Sequence, residues 1–189
     1  MNFDNDIKNC LKVLKTGGII LYPTDTIWGL GCDGTNKSAV SKIYALKQRA
    51  ENKSMILLLA NNAEIANYCK TPSAAIQNLL NKEENPLTIV YPNAKNIADN
   101  LISEDGTVAI RIVNDAFCEA LINTFGKPIV STSANIAGEA SPTSYTSVNA
   151  NIKNGVDYIV QYRRDDDNFK KPSKILLWKS DDEILVIRE

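Results

Sequence analysis

The segment GGIILYPTDTIWGLG, residues 17–31, contains the pattern that decides the fold. Its apolar run IILY, residues 19–22, follows two glycines and predicts a buried strand. Thr24, Asp25 and Thr26 come directly behind that strand, and Gly29 and Gly31 close the segment. Such residues at a strand end form either a turn or the edge of a substrate site. The pattern alone leaves both interpretations open.

Helical and strand patterns alternate along the rest of the chain, with no linker or repeat between them. The predicted helices cover residues 4–16, 36–46, 62–82 with a break at Thr71-Pro72, and 115–125. Further strands are predicted at 55–59, 86–92, 107–113 and 127–133, and three more follow near the C-terminus. Because no helix separates those last three strands, we expect a mixed sheet. The pattern predicts one α/β domain over residues 1–189, with helices flanking a mostly mixed sheet.

Composition excludes several classes of catalyst. The chain of 189 residues contains no histidine, which rules out Ser-His-Asp and Cys-His nucleophiles. Its four cysteines have no C-x-x-C spacing, so they predict neither a zinc site nor a disulfide framework, and they suit a reducing cytosol. The longest apolar run, MILLLA, is far too short to span a membrane. A net charge of −1 argues against nucleic-acid binding through bulk charge. We therefore expect a cytoplasmic protein.

A G-x-G-x-x-G pattern at residues 29–34 suggests a dinucleotide fingerprint. That fingerprint requires its glycines at the immediate end of the strand, whereas Pro23 to Trp28 intervene here. We therefore expect the glycines to form a turn that bends the backbone behind a pocket.

Three other segments could bind an anion or a polar ligand. Lys47, Arg49 and Lys53 follow a predicted helix, where they either lie in solvent or hold a polyphosphate. Arg111 interrupts the apolar strand TVAIRIV, so it either lies on a solvent-facing side or contacts an anion such as a substrate carboxylate. The hydroxyl-rich segment STSAN, residues 131–135, follows the strand KPIV and is either an ordinary loop or a ligand site.

Taken together, YPTDTIWGLG, KQRAENKS, PLTIVYP, TVAIRIV and GKPIVSTSAN with SPT behind it resemble the TsaC/YrdC family of threonylcarbamoyl-AMP synthases. The matching segments lie in order from about residue 17 to 188. The resemblance implies a twisted sheet around a deep, electropositive groove. It also implies synthesis of threonylcarbamoyl-AMP and pyrophosphate from L-threonine, bicarbonate and ATP. Partner proteins would then use the adenylate to modify a tRNA adenosine.

The same resemblance assigns roles to individual residues. L-Threonine would be bound by Thr26, Arg111, Ser133 and Ser173, with Trp28 as an aromatic wall facing it. The catalytic cations would be Lys47 and Arg49. The nucleotide would be bound by Arg49, Lys53, Thr107, Asn135, Thr143 and Arg188. Lys174 stands where the family has a threonine and Glu189 departs from the family's ending, so the assignments near the C-terminus rest on the least similarity.

The implied reaction needs no protein nucleophile, which agrees with the absence of histidine. Mg²⁺ would accompany ATP, held by phosphate oxygens and water, because no carboxylate pair for it is evident in the sequence. A competing hypothesis is a non-catalytic paralogue that binds RNA, including double-stranded RNA, through the groove. The intact STSAN and KQR segments and the acidic pI of about 5.6 argue against it.

Overall fold

A nine-stranded sheet forms the centre of the computed structural model, which describes residues 3–51, 55–166 and 171–189. In chain order, strands β1 to β9 span Ile20–Tyr22, Gly29–Gly31, Ile56–Leu59, Leu87–Tyr91, Val108–Ile112, Ile129–Ser133, Tyr158–Ile159, Lys174–Ser180 and Glu183–Arg188. Their spatial order is β7-β1-β2-β6-β3-β5-β4-β8-β9. The pairs β1–β7, β3–β5 and β4–β8 are parallel, and the other neighbouring strands are antiparallel. The predicted α/β class with a mixed sheet is confirmed.

Helices α1 to α6 span Asp4–Lys15, Lys37–Leu46, Ile65–Tyr68, Ala74–Lys82, Ala116–Phe125 and Ala150–Asn154. Side-chain caps fix four of the starts: Asn36, Ser73, Asp115 and Asn149 each accept a hydrogen bond from a backbone N–H of the first turn. The helical pattern predicted at 62–82 forms a 3₁₀ turn, then α3 and α4. The cap at Ser73 makes α4 begin after Pro72 rather than at it. The short helix α6 was not predicted.

Two apolar clusters cover the two faces of the sheet. The larger core includes Leu57 and Leu59 of β3 and the buried side of α2. The smaller core includes Leu58 of the same strand, packed with residues of α1 and α5. Successive side chains of a strand point to opposite faces, which is why neighbouring residues of β3 belong to different cores. Among the described residues, no helix is both long enough and apolar enough to cross a membrane.

The predicted glycine turn at residues 29–31 is wrong. These residues form β2, which pairs antiparallel with β1 on one side and with β6 on the other. A Cβ on Gly31 would lie 2.6 Å from Cε1 of Tyr22 and 3.0 Å from the carbonyl oxygen of Val130. Only glycine therefore lets β2 lie this close to its neighbours. The glycines that resembled a turn are needed for close packing within the sheet.

Candidate active site

A cavity of about 190 Å³ opens beside the turn between β1 and β2. The strand registers place Ile56, Arg111 and Ser131 of its wall on the face of the sheet that also carries Leu58 of the smaller core. Three guanidinium groups line it, and no carboxylate does among the described lining residues. The lining residues are Thr26, Ile27, Gly29, Arg49, Met55, Ile56, Arg111, Ser131, Thr132, Ser133, Ser141, Pro172, Ser173, Ile175 and Arg188. This wall suits an anionic ligand with hydrogen-bonding groups.

The turn PTDT supplies one edge of the cavity, and its two threonines have different roles. The hydroxyl of Thr24 donates to the carbonyl of Ile27 and accepts from the backbone N–H of Thr26, so it stabilises the turn itself. Thr26 lines the cavity, and its hydroxyl lies 3.0 Å from that of Thr24. Thr26 is therefore the threonine of this turn that can contact a ligand in the cavity.

Arg111 reaches the cavity wall from β5, and it is buried rather than solvent-facing. The residue is 3% exposed, and its Nη2 donates to Oδ1 of Asp25 at 2.9 Å. The strand pattern alone left Arg111 between a solvent face and an anion, and it left Asp25 between a turn-forming and a functional role. One signal pointed to this pair, since a charged residue inside an apolar strand requires an opposite charge nearby.

Lys47 and Arg49 are two residues apart but lie in different environments. The Lys47 ammonium is buried and donates to the backbone carbonyls of Ser133 and Asn135, the latter at 2.6 Å. Burial, and then the like charge of Arg49, lower the pKa of Lys47 to about 8. Arg49 lines the cavity, and burial lowers the pKa of its guanidinium. Lys47 therefore fixes the loop after β6, while Arg49 is placed to meet a ligand.

The C-terminal segment closes another side of the cavity. The guanidinium of Arg188 donates to the carbonyl of Ser173, at 2.7 Å from Nη2, and lies 3.3 Å from its hydroxyl. Ser173 is 1% exposed, and its hydroxyl lies 2.7 Å from that of Thr88. Desolvation, and then the like charge of Arg111, lower the pKa of Arg188. Two guanidiniums that repel each other across a cavity favour an anion between them.

Three other described residues assigned to the nucleotide, Thr107, Asn135 and Thr143, do not line this cavity. The hydroxyl of Thr107 donates to Asp105 at the start of β5, and the amide of Asn135 donates to two backbone carbonyls of its own loop. Thr143 is exposed and borders a second cavity of about 30 Å³. Lys53 lies outside the described residues.

The expectation that Trp28 faces the amino-acid site disagrees with the structure. Its side chain is 6% exposed and belongs to the larger core, with its ring 5.1 Å from the ring of Tyr145. Trp28 borders the second, smaller cavity rather than the main one. Packing of the indole against Tyr145 in the larger core keeps it out of the wall that Thr26, Ile27 and Gly29 line.

Several lining residues were missed from the sequence. Ser131 was noted only as part of a polar segment, yet it is 7% exposed and lines the cavity two residues before Ser133 on the same face of β6. Met55, Ile56 and Ile175 supply an apolar part of the wall. Period-two alternation could have identified Ser131 and Ile56, whereas no local signal marks Ile175.

The chain matches one family model and several named proteins. Residues 12–189 match a family model, Sua5_yciO_yrdC, described as Telomere recombination. A protein of Pseudoalteromonas translucida (strain TAC 125) named threonylcarbamoyl-AMP synthase is 34% identical over 163 residues, which is 85% of this chain and 87% of the relative. One of the same name from Psychromonas ingrahamii is 33% identical over 152 residues, 79% of this chain and 80% of the relative.

Solved structures share the fold at lower identity. Sua5 of P. abyssi, in a complex with L-threonine, has a TM-score of 0.86 and 23% identity over 98% of this chain. The match covers 54% of that protein, so this chain spans about half its length. YciO of E. coli has a TM-score of 0.84 and 22% identity, with 98% of this chain and 89% of that chain covered.

Proposed function

The chain belongs to the Sua5, YciO and YrdC family, and we propose that it is a threonylcarbamoyl-AMP synthase. It joins L-threonine, bicarbonate and ATP into threonylcarbamoyl-AMP and releases pyrophosphate. The reaction class is nucleotidyl transfer. The adenylate is then passed to partner proteins that modify tRNA, in the cytoplasm, a compartment that suits four buried free thiols.

One observation carries this proposal: three guanidiniums and several hydroxyls meet in a single cavity. Arg49, Arg111 and Arg188 line it together with Thr26 and the serines Ser133 and Ser173. L-Threonine, bicarbonate and ATP are all anionic or carry an anionic group, and guanidinium forks are well suited to carboxylate and phosphate oxygens. Hydroxyl groups beside them can accept from and donate to the amino acid's own amine and hydroxyl.

The chemistry requires positioning rather than a nucleophilic side chain. The amine of threonine and bicarbonate condense to a carbamate with loss of water. A carbamate oxygen then attacks the α-phosphorus of ATP, the bond to the bridging oxygen breaks, and pyrophosphate leaves with its electron pair. In this scheme Arg111 binds the threonine carboxylate while Arg49 and Arg188 neutralise charge on the phosphates. Fixed cations beside developing negative charge can supply much of the acceleration.

Magnesium enters this scheme as part of the substrate Mg·ATP. The described residues contain no group of three or more histidine, cysteine, aspartate or glutamate side chains that could hold a metal ion. The ion would therefore be held by the phosphate oxygens and water, as Mg²⁺ commonly is in nucleotide sites. Lys53, beyond the described part of the chain, is the further cation that we assign to the phosphates.

The test is a reconstitution with four components. Purified protein is incubated with L-threonine, bicarbonate and Mg·ATP, pyrophosphate release is followed, and the adenylate is identified by mass spectrometry. We expect product only when all three substrates are present, and less product when L-serine replaces L-threonine. Pyrophosphate release that does not depend on threonine would overturn the proposal. RNA binding that weakens steeply with salt, without threonine-dependent ATP turnover, would favour the RNA-binding paralogue instead.

A further inference from the structure

The carboxylate of Asp25 lies directly behind the cavity wall. It belongs to the turn between β1 and β2, it is 7% exposed, and it does not line the cavity. Its ion-pair partner Arg111 does line the cavity. Asp25 therefore contacts the proposed carboxylate-binding group without itself lining the cavity.

The contact between the two groups is a single hydrogen bond. Nη2 of Arg111 donates to Oδ1 of Asp25 at 2.9 Å, and both side chains are 4% exposed. Nε of Arg111 and Oδ2 of Asp25 have no hydrogen-bond partner within the described part of the chain. A guanidinium has five N–H donors in a rigid fork, so the bond to Asp25 restricts its orientation while Nε keeps no partner among the described residues.

Stability alone gives little reason for this pair. Removing two charges from water costs several kcal/mol, and a buried ion pair recovers that cost only with excellent geometry and further hydrogen bonds. Here an atom on each partner has no such bond. The cross-strand partners of Arg111 do not supply a second charge, because Leu58 on β3 is apolar and fully buried and Thr88 on β4 is a buried hydroxyl.

We propose that Asp25 is a positioning residue for the substrate's carboxylate, acting by holding the guanidinium of Arg111 in the plane that presents its free donors to the cavity. This inference rests on the proposed function. Asp25 also offsets one of the two positive charges of the Arg111–Arg188 wall. Loss of Asp25 is expected to impair the use of the amino acid far more than the use of the nucleotide.

The test compares Asp25→Asn with a matched control, Asp33→Asn. Asp33 is 5% exposed and pairs with Lys127 at 2.8 Å, but it does not line the cavity. For Asp25→Asn we expect the KM for L-threonine to rise about tenfold, as for the loss of one oriented charge-assisted hydrogen bond, while the KM for ATP changes less than about twofold. Asp25→Glu, which keeps the charge, should recover part of the loss. Asp33→Asn should change neither KM, although its unfolding temperature falls.

The outcomes separate this inference from the proposed function. If the wild-type protein neither binds nor uses L-threonine, the proposed function fails. If the wild type is active and Asp25→Asn keeps the threonine KM, or raises both KM values equally, only the positioning role is overturned. Should Asp25→Asn not fold, a crystal structure of the wild type with L-threonine decides. We expect Arg111 to contact the carboxylate while its bond to Asp25 persists. A carboxylate bound elsewhere, or a broken Asp25 bond, would refute the role.

Discussion

The two faces of the sheet bury different kinds of groups. Against the larger core, the side chains of Leu57, Leu59 and Ile110 are buried and apolar. On the face with the cavity, Arg111 and Thr88 are buried among apolar neighbours. Burial of apolar area stabilises the fold directly, whereas buried ion pairs and hydroxyls contribute little net stability. One face of the sheet therefore mainly stabilises the fold, while part of the other face is arranged for a ligand.

The largest effect on stability should therefore come from the larger-core face. Leu57 is fully buried in β3, and Leu57→Ala should lower the free energy of unfolding by about 3 kcal/mol, from lost transfer energy plus a cavity. Urea unfolding measures this change. In the control, Leu185→Ala on the exposed part of β9 should stay within about 0.5 kcal/mol of wild type. Loss of activity in the folded Leu57 variant, with unchanged stability, would contradict the division between the faces.

Arg49 tests the cavity side of the comparison. Arg49→Ala should lower kcat/KM for ATP. The activation free energy that kcat/KM reports should rise by about 2–3 kcal/mol, as for the loss of a charge-assisted phosphate contact, with little change in the unfolding midpoint. Steady-state kinetics with saturating L-threonine measure it. Lys37→Ala is the control, because the Lys37 side chain is 65% exposed in a surface ion pair with Asp99 and lies outside the cavity. Equal losses in both variants would place Arg49 outside the nucleotide site.

Local signals made most elements predictable from the sequence. The predicted helix at 36–46 contains α2, which Asn36 caps, and the apolar runs at 55–59, 107–113 and 127–133 all contain strands. These features depend on residues a few positions apart, whose spacing is visible in the sequence. The mixed sheet followed because three closing strands had no helix between them.

The parts that could not be predicted depend on contacts between distant residues. Asp25 and Arg111 are 86 positions apart, and neither residue by itself identifies its partner. Gly29 and Gly31 carry a turn signature, but the strands on both sides of β2 give them a different use. The sequence placed Lys47 and Arg49 in one phosphate-binding segment, and the loop after β6 separates their environments by accepting two hydrogen bonds from Lys47.

Lys47 gives an intermediate effect that sharpens the contrast with Arg49. Lys47→Met removes both bonds to the loop after β6, so we expect the free energy of unfolding to fall by about 2 kcal/mol, because buried carbonyls lose their donors. Activity should fall as well, through the displaced Ser133 and Asn135. Arg49→Ala, in contrast, should lower activity alone. If Lys47→Met lowers ATP use while the protein keeps its full stability, Lys47 contacts the nucleotide directly, and its role in fixing the loop after β6 is wrong.

The smallest effect concerns buried thiols, which occur in both cores. Burial raises the pKa of Cys10 in the smaller core and of Cys69 in the larger core to about 12. Unfolded thiols ionise near pH 8.5, so above that pH the unfolded state binds fewer protons than the native state, and stability falls as pH rises. Each thiol should remove about 1 kcal/mol between about pH 8 and about pH 9.5. Urea unfolding of wild type, Cys10→Ala and Cys69→Ala at both pH values measures this loss of stability, and each variant should lose less stability than wild type by that amount.

The two cores should respond equally, because desolvation is the leading cause of the raised pKa in both. A Cys10 response that is absent while Cys69 responds would mean that water reaches the smaller core, and the comparison of the faces would then have to include solvent as well as polar groups.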